Sequence, residues 1–91
     1  MAETFSRTIS PYDGEPLPPD QQAYKAKSGK MLIKPSIELV EMLDAEGAGF
    51  CLNCGAHDQS AEPDMRKGQC EVCGEPKLYG AAEIALMGLA F

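Results

Sequence analysis

The chain has 91 residues and a formal net charge of −6 at pH 7, so it can form one small domain whose own core is barely large enough to hold it folded. Residues 31–91 carry ten acidic and four basic side chains, a balance that disfavours binding to nucleic acid. Its apolar runs are far shorter than the roughly 20 residues of a membrane helix, and we expect no secretory signal, no membrane contact and a cytoplasmic location.

The first 30 residues are predicted to form a proline-rich arm that contributes little to a core. Three of the four residues from 16 to 19 are prolines, which favours an extended and irregular segment. The arm is either a semi-rigid spacer or a partner-binding segment. In the second case Tyr12 and Leu17 are the candidate anchors.

A short helix is predicted at the end of this arm. Asp20 is a suitable N-cap for a helix over residues 21–27, although two turns are marginal in isolation. The lysines of this segment are either a solvated face or the first contact for an acidic or phosphate-bearing partner. They are Lys25, Lys27 and Lys30.

A domain spanning residues 31–91 is predicted to begin with a strand and a helix. The apolar run 31–33 suits a strand, Ser36 suits an N-cap, and helical spacing continues over 37–46 until Gly47. The apolar arc of this helix covers more than half of its circumference, which is wide for so small a domain. The arc either packs within the domain or forms a partner or homodimer interface. The candidate interface residues are Ile37, Val40 and Leu43.

The four cysteines form two matched motifs, Cys51-Leu52-Asn53-Cys54-Gly55 and Cys70-Glu71-Val72-Cys73-Gly74. Two residues within each pair let one turn aim both sulfurs at a single centre, and the separation of the pairs is typical of zinc sites. A glycine after each pair can adopt positive φ, which closes such a turn. The pattern predicts one structural zinc ion bound by Cys51, Cys54, Cys70 and Cys73.

Two other interpretations of the cysteines are weaker. A disulfide framework usually accompanies secretion, for which the sequence gives no indication, and four free thiols in a core would not require this spacing. His57 lies beside a complete set of four ligands, so we expect it to face solvent. Iron in the same four-thiolate geometry would instead indicate a rubredoxin-like electron carrier.

The C-terminal part is predicted to add an outer strand over 75–79 and a helix that starts at Gly80. Phe91 ends an apolar segment that either folds back on the core or docks into a partner. The fold class is therefore small α+β. It consists of a zinc ribbon with two CxxCG turns, an amphipathic helix before it, a C-terminal helix after it, and the irregular arm.

The half of the chain from Phe50 onward resembles short zinc-ribbon proteins of bacteriophages and bacteria. The resemblance implies a zinc ribbon followed by a helix, and it carries no known activity. The residues that support it are Phe50-Cys51-Leu52, Cys54-Gly55, Glu62-Pro63-Asp64, Arg66, Cys70-Glu71, Cys73-Gly74, Tyr79-Gly80-Ala81 and Glu83.

These observations favour a non-enzymatic zinc protein that acts by binding another protein. Four thiolates leave no coordination position for water or substrate. In a phage setting the protein would inhibit or modulate a host complex. The alternatives are a nucleic-acid-binding zinc ribbon of transcription or replication, supported by the three lysines with Arg66 and Lys67, and the electron carrier.

Overall fold

The computed structural model describes residues 7–57 and 59–91, so the first six residues of the predicted arm lie outside this description. These residues form two antiparallel two-stranded sheets and two helices, which confirms the small α+β class. The first sheet pairs β1 (Gln21–Lys25) with β2 (Met31–Pro35). The second pairs β3 (Gly49–Cys51) with β4 (Leu78–Gly80).

Strand β1 corrects the helix that was predicted over residues 21–27. Its five residues pair in register with β2, from Gln21 opposite Pro35 to Lys25 opposite Met31. Burial alternates along it, with Ala23 only 1% exposed, which is the two-residue period of a strand. A marginal two-turn helix loses to this pairing because the hairpin buries Ala23 in the core. The hairpin also crosses the predicted boundary at residue 30.

The described part of the arm folds back on itself and contacts the hairpin. Thr8 accepts a hydrogen bond from the backbone of Leu17 at 2.7 Å, and Arg7 accepts one from Ala23 at 2.9 Å. Leu17 packs against the core, whereas Tyr12 is exposed at the tip of the turn. The arm is therefore irregular, as predicted, but its described residues are held to β1.

Helix α1 (Ile37–Glu46) coincides with the predicted helix. The hydroxyl of Ser36 accepts a hydrogen bond from the backbone N–H of Leu39 at 3.1 Å, which is the expected N-cap. Gly47 ends the helix with φ of 69°. The capping residues Ser36 and Gly47 therefore set both ends of α1.

Helix α2 (Ala81–Leu86) follows β4 directly, with Gly80 as its N-cap residue. The outer strand is shorter and later than the predicted 75–79, because the chain is still turning at Lys77, whose N–H bonds to Glu75. Helices α1 and α2 pack against each other. The least exposed large side chains of this core are Ile33, Leu43, Phe50 and Ile84.

Candidate metal centre

The four cysteine sulfurs lie together, and their Sγ atoms are all within 4.8 Å of one another. Two pairs of sulfurs from different motifs lie 3.6 Å apart, Cys51 with Cys73 and Cys54 with Cys70. A metal with sulfur at about 2.3 Å in tetrahedral geometry places its ligands about 3.8 Å apart. Disulfides need about 2.05 Å, and all four cysteines are free. The cluster thus has the donor set and the size of a four-thiolate metal site.

The first cysteine turn (Cys51–Gly55) is built as the sequence predicts. Gly55 has φ of 83°, and its N–H donates to the Cys51 carbonyl at 2.9 Å. The N–H of Cys51 in turn donates to Ala56 at 2.8 Å. The glycine is required here, because a side chain would be strained at this φ and a Cβ would lie 2.6 Å from Oε1 of Gln21.

The second cysteine turn (Cys70–Gly74) repeats this arrangement. Gly74 has φ of 78° and donates to the Cys70 carbonyl at 2.9 Å, while the N–H of Cys70 donates to Glu75 at 3.0 Å. Two equivalent turns from separate parts of the chain therefore present two sulfurs each to one point.

Strands β2 and β3 position the first turn. Cys51 is the last residue of β3, directly after Phe50, which is fully buried. The carbonyl of Leu52 accepts a hydrogen bond from Ile33 of β2 at 2.7 Å, and its N–H donates to Lys77 at 2.9 Å. The hydrophobic core and the metal cluster are thus joined through consecutive residues.

Two amide side chains donate hydrogen bonds to the cluster, and sequence reasoning missed both. Nδ2 of Asn53 lies 3.4 Å from Sγ of Cys73, and Nε2 of Gln59 lies 3.3 Å from Sγ of Cys70. The other end of the Gln59 amide, Oε1, accepts a hydrogen bond from the N–H of Glu71 at 2.8 Å. Gln59 therefore ties the loop between the turns to the second turn. No local signal marks it, since the contact depends on how the loop folds.

The environment shifts the pKa values of three of the cysteine thiols, and not all in the same direction. Burial raises the pKa of Cys51 to about 11 and raises that of Cys54 further. Burial acts in the same direction on Cys70, but hydrogen bonds from the backbone of Cys73, from Gln59 and from the backbone of Val72 outweigh it and lower the pKa of Cys70 to about 6. A bound cation would favour the thiolate of every ligand. The hydrogen bonds thus favour the thiolate of Cys70, while burial favours the protonated thiols of Cys51 and Cys54 until a metal displaces their protons.

His57 is not one of the clustered ligands. Its ring instead stacks on Phe50, with the two centroids 6.1 Å apart and the planes 6° from parallel. The residue is half-buried, so the expectation that it simply faces solvent is incomplete. The stack covers Phe50 next to Cys51.

The loop between the cysteine turns is fastened to the start of α2. The N–H of Gly80 donates to Met65 at 3.0 Å, and the N–H of Glu83 donates to Pro63 at 2.9 Å. Nε of Arg66 lies 2.9 Å from Oε2 of Glu83, whose side chain is only 7% exposed. These contacts unite residues that carry the resemblance to zinc-ribbon proteins, and they give those residues a structural role.

The predicted partner-contact residues separate into exposed and buried groups. Tyr12 and Ile37 are about half exposed, at 47% and 55%. Leu43 is fully buried in the core and offers no surface to a partner. Val40 is buried on the same face of α1.

Phe91 is half-buried, and its backbone forms hydrogen bonds with the backbone of Pro35 and Ile37. Leu17 is partly buried and packs against the core.

Part of the predicted basic surface is engaged in ion pairs. Nζ of Lys30 lies 3.8 Å from a carboxylate oxygen of Glu75, and Arg66 is paired with Glu83. Both pairs place an acidic group beside the basic one, which weakens the attraction for phosphate.

Comparison of the chain with protein-family models, with curated proteins and with solved structures finds no match. The resemblance to phage and bacterial zinc-ribbon proteins therefore stays a prediction. In the part of the chain that the structure describes, no helix is long and apolar enough to cross a membrane.

Proposed function

We propose that this is a non-enzymatic zinc protein of the zinc-ribbon type, which functions by binding another protein in the cytoplasm. The observation that carries the proposal is the convergence of four cysteine sulfurs within 4.8 Å. Four thiolates complete a tetrahedral shell, so the metal has no position for water or substrate and its contribution is structural. Zinc prefers such a donor set.

The size of the domain supports a structural role for the metal. The core contains few large side chains, and a structural zinc ion contributes on the order of 10–16 kcal/mol in small peptides. The cluster joins two turns that are separated by a loop whose described residues, 56–57 and 59–69, form no helix or strand. Metal binding therefore holds together segments that the small core would not hold alone.

The protein-binding role is supported by the distribution of exposed apolar side chains. Leu86 is 81% exposed and Ile37 is 55% exposed, on two helices that lie side by side. The chain is acidic, and zinc with four thiolates adds two further negative charges. A protein partner fits such a surface better than nucleic acid does. Modulation of a host complex by a phage protein is the form suggested by the resemblance.

Elemental analysis of the purified, untagged protein tests the first half of the proposal. We expect about one zinc atom per chain and no visible colour. Stoichiometric iron with thiolate charge-transfer absorption would overturn it in favour of electron transfer. A metal-free protein that is folded and stable would overturn the structural role of the metal.

A second experiment addresses the nucleic-acid alternative. Mobility shifts with DNA and RNA are measured over increasing salt, because phosphate binding weakens steeply as counterions compete. We expect no salt-dependent shift. A steep salt dependence would replace protein binding with nucleic-acid binding as the function.

A further inference from the structure

A groove runs between α1 and the C-terminal segment, and none of the contacts of the metal cluster involve it. It consists of two adjoining cavities of about 350 and 170 Å³ that share Val40, Glu41 and Ala85. We call it the α1–α2 groove. Its floor is formed by Val40 and by small residues such as Ala81, so helix backbones rather than long side chains define its shape.

One wall of the groove is acidic and the other is apolar. Glu38, Glu41 and Asp44 are exposed along α1, and no Lys or Arg occurs from residue 35 to 65. On the α2 side, the residues that line the groove are all apolar: Ala81, Ala82, Ala85, Gly88 and Ala90. The groove therefore combines apolar surface with uncompensated negative charge.

The same negative charge continues beyond the first turn of α1. A third cavity, of about 560 Å³, meets the groove at Ile37 and is lined by Asp20 and Glu38. Oδ1 of Asp20 is buried and has no hydrogen-bond partner among the described residues. That oxygen is out of reach of a partner's side chain, whereas the exposed Glu38 extends the negative charge of the groove at this end.

The shape and charge of the groove indicate which kind of partner it would bind. A second copy of the chain would bring another row of acidic side chains against Glu38, Glu41 and Asp44, and like charges at close range oppose that contact. An amphipathic helix lays its apolar face into a groove of this kind. The ten residues of α1 span about 15 Å, which is three turns of such a helix.

We propose that the α1–α2 groove binds a basic amphipathic helix of a partner protein. The apolar face of that helix packs against Ile37, Val40 and Ala85. Its Lys or Arg side chains pair with Glu41 and Asp44. The inference rests on the proposed protein-binding function and names the chemical nature of the partner.

The experiment titrates zinc-loaded protein into a fluorescent peptide of about 14 residues, with leucines at helical spacing and lysines between them. A peptide with glutamate in place of lysine is its matched control. Three variants are compared with the wild type, and each is checked for one zinc per chain. Glu41→Lys reverses the charge of the groove, Ala85→Phe fills it without changing charge, and Glu15→Lys makes the same charge change on the exposed arm.

We expect saturable binding of the lysine peptide and none of the glutamate peptide. Glu41→Lys and Ala85→Phe should each weaken binding at least tenfold, whereas Glu15→Lys should change it less than threefold. Equal weakening by Glu41→Lys and Glu15→Lys would show non-specific charge attraction and overturn the inference. Wild-type binding by Ala85→Phe, or no binding by the wild type, would overturn it as well.

Sedimentation of the wild type and Ala85→Phe completes the test. A dimer that Ala85→Phe dissociates would assign the groove to a second copy and overturn the inference, and a monomer is the expected result. If the inference fails while each sample holds one zinc, the zinc proposal stands and a different partner surface is required. If the samples hold no zinc, it is the proposed function that fails.

Discussion

Replacing Gln59 should weaken metal binding although Gln59 is not a metal ligand. Its amide donates to Sγ of Cys70 at 3.3 Å and accepts from the N–H of Glu71 at 2.8 Å. Gln59→Ala removes both contacts, leaving the sulfur with fewer donors to stabilise its charge. Loss of such an outer contact typically reduces metal affinity by about 10- to 100-fold, which corresponds to about 1.4–2.7 kcal/mol.

Competition with a chromophoric zinc chelator measures this change directly. Gln69→Ala is the matched control, because Gln69 is exposed and precedes Cys70 without touching a sulfur. Gln59→Glu separates the two contacts, since its carboxylate can still accept from Glu71 but cannot donate to Cys70 when ionised. We expect Gln59→Glu to bind zinc more weakly than Gln59→Ala, because a negative charge then faces a thiolate. Equal affinities for wild type, Gln59→Ala and Gln69→Ala would refute the reasoning.

Three further predictions concern the fold and the metal. Removing zinc with a chelator should unfold the domain cooperatively, as followed by circular dichroism, and retention of the folded signal without metal would contradict this. Gly80→Ala should lower the free energy of unfolding of the zinc-loaded protein by about 1–3 kcal/mol in urea denaturation, because the added Cβ would collide with the carbonyls of Glu62 and Pro63. This loss outweighs the usual gain of under about 1 kcal/mol that alanine brings by restricting the unfolded chain. Unchanged or increased stability would contradict the prediction. The apparent association constant for zinc should rise by at least about two logarithmic units per pH unit between pH 7 and 8. The raised pKa values of Cys51 and Cys54 keep both thiols protonated until zinc displaces the two protons. A zinc affinity that does not change with pH would show that these groups are already ionised.

The cysteine cluster and α1 could be predicted because their signals are local. Spacing alone brings Cys51 near Cys54 and Cys70 near Cys73, and the caps at Ser36 and Gly47 bound α1. These features depend on residues within a few positions of one another, so a sequence pattern is enough to identify them.

The errors arose where distant residues decide the structure. Residues 21–27 carry a helix signal, but β2 pairs with residues 21–25 and supplies more burial than two isolated turns could. The burial of Leu43 could not be predicted, because neither helix carries a sequence pattern that indicates how the two helices pack. The amides of Asn53 and Gln59 reach sulfurs across the loop, and such contacts become visible only when the fold is known.

The attachment of the 62–66 loop to α2 links two sites that do not touch. The loop is bounded by the cysteine turns, and it holds the helix that forms one wall of the α1–α2 groove. Loss of zinc would release the loop, free α2 and dismantle the groove. Linkage is reciprocal, so a helix bound in the groove must tighten zinc binding by the same factor by which zinc tightens the binding of that helix. The bound partner would then stabilise the zinc site, and the complex would resist chelators better than the free protein does.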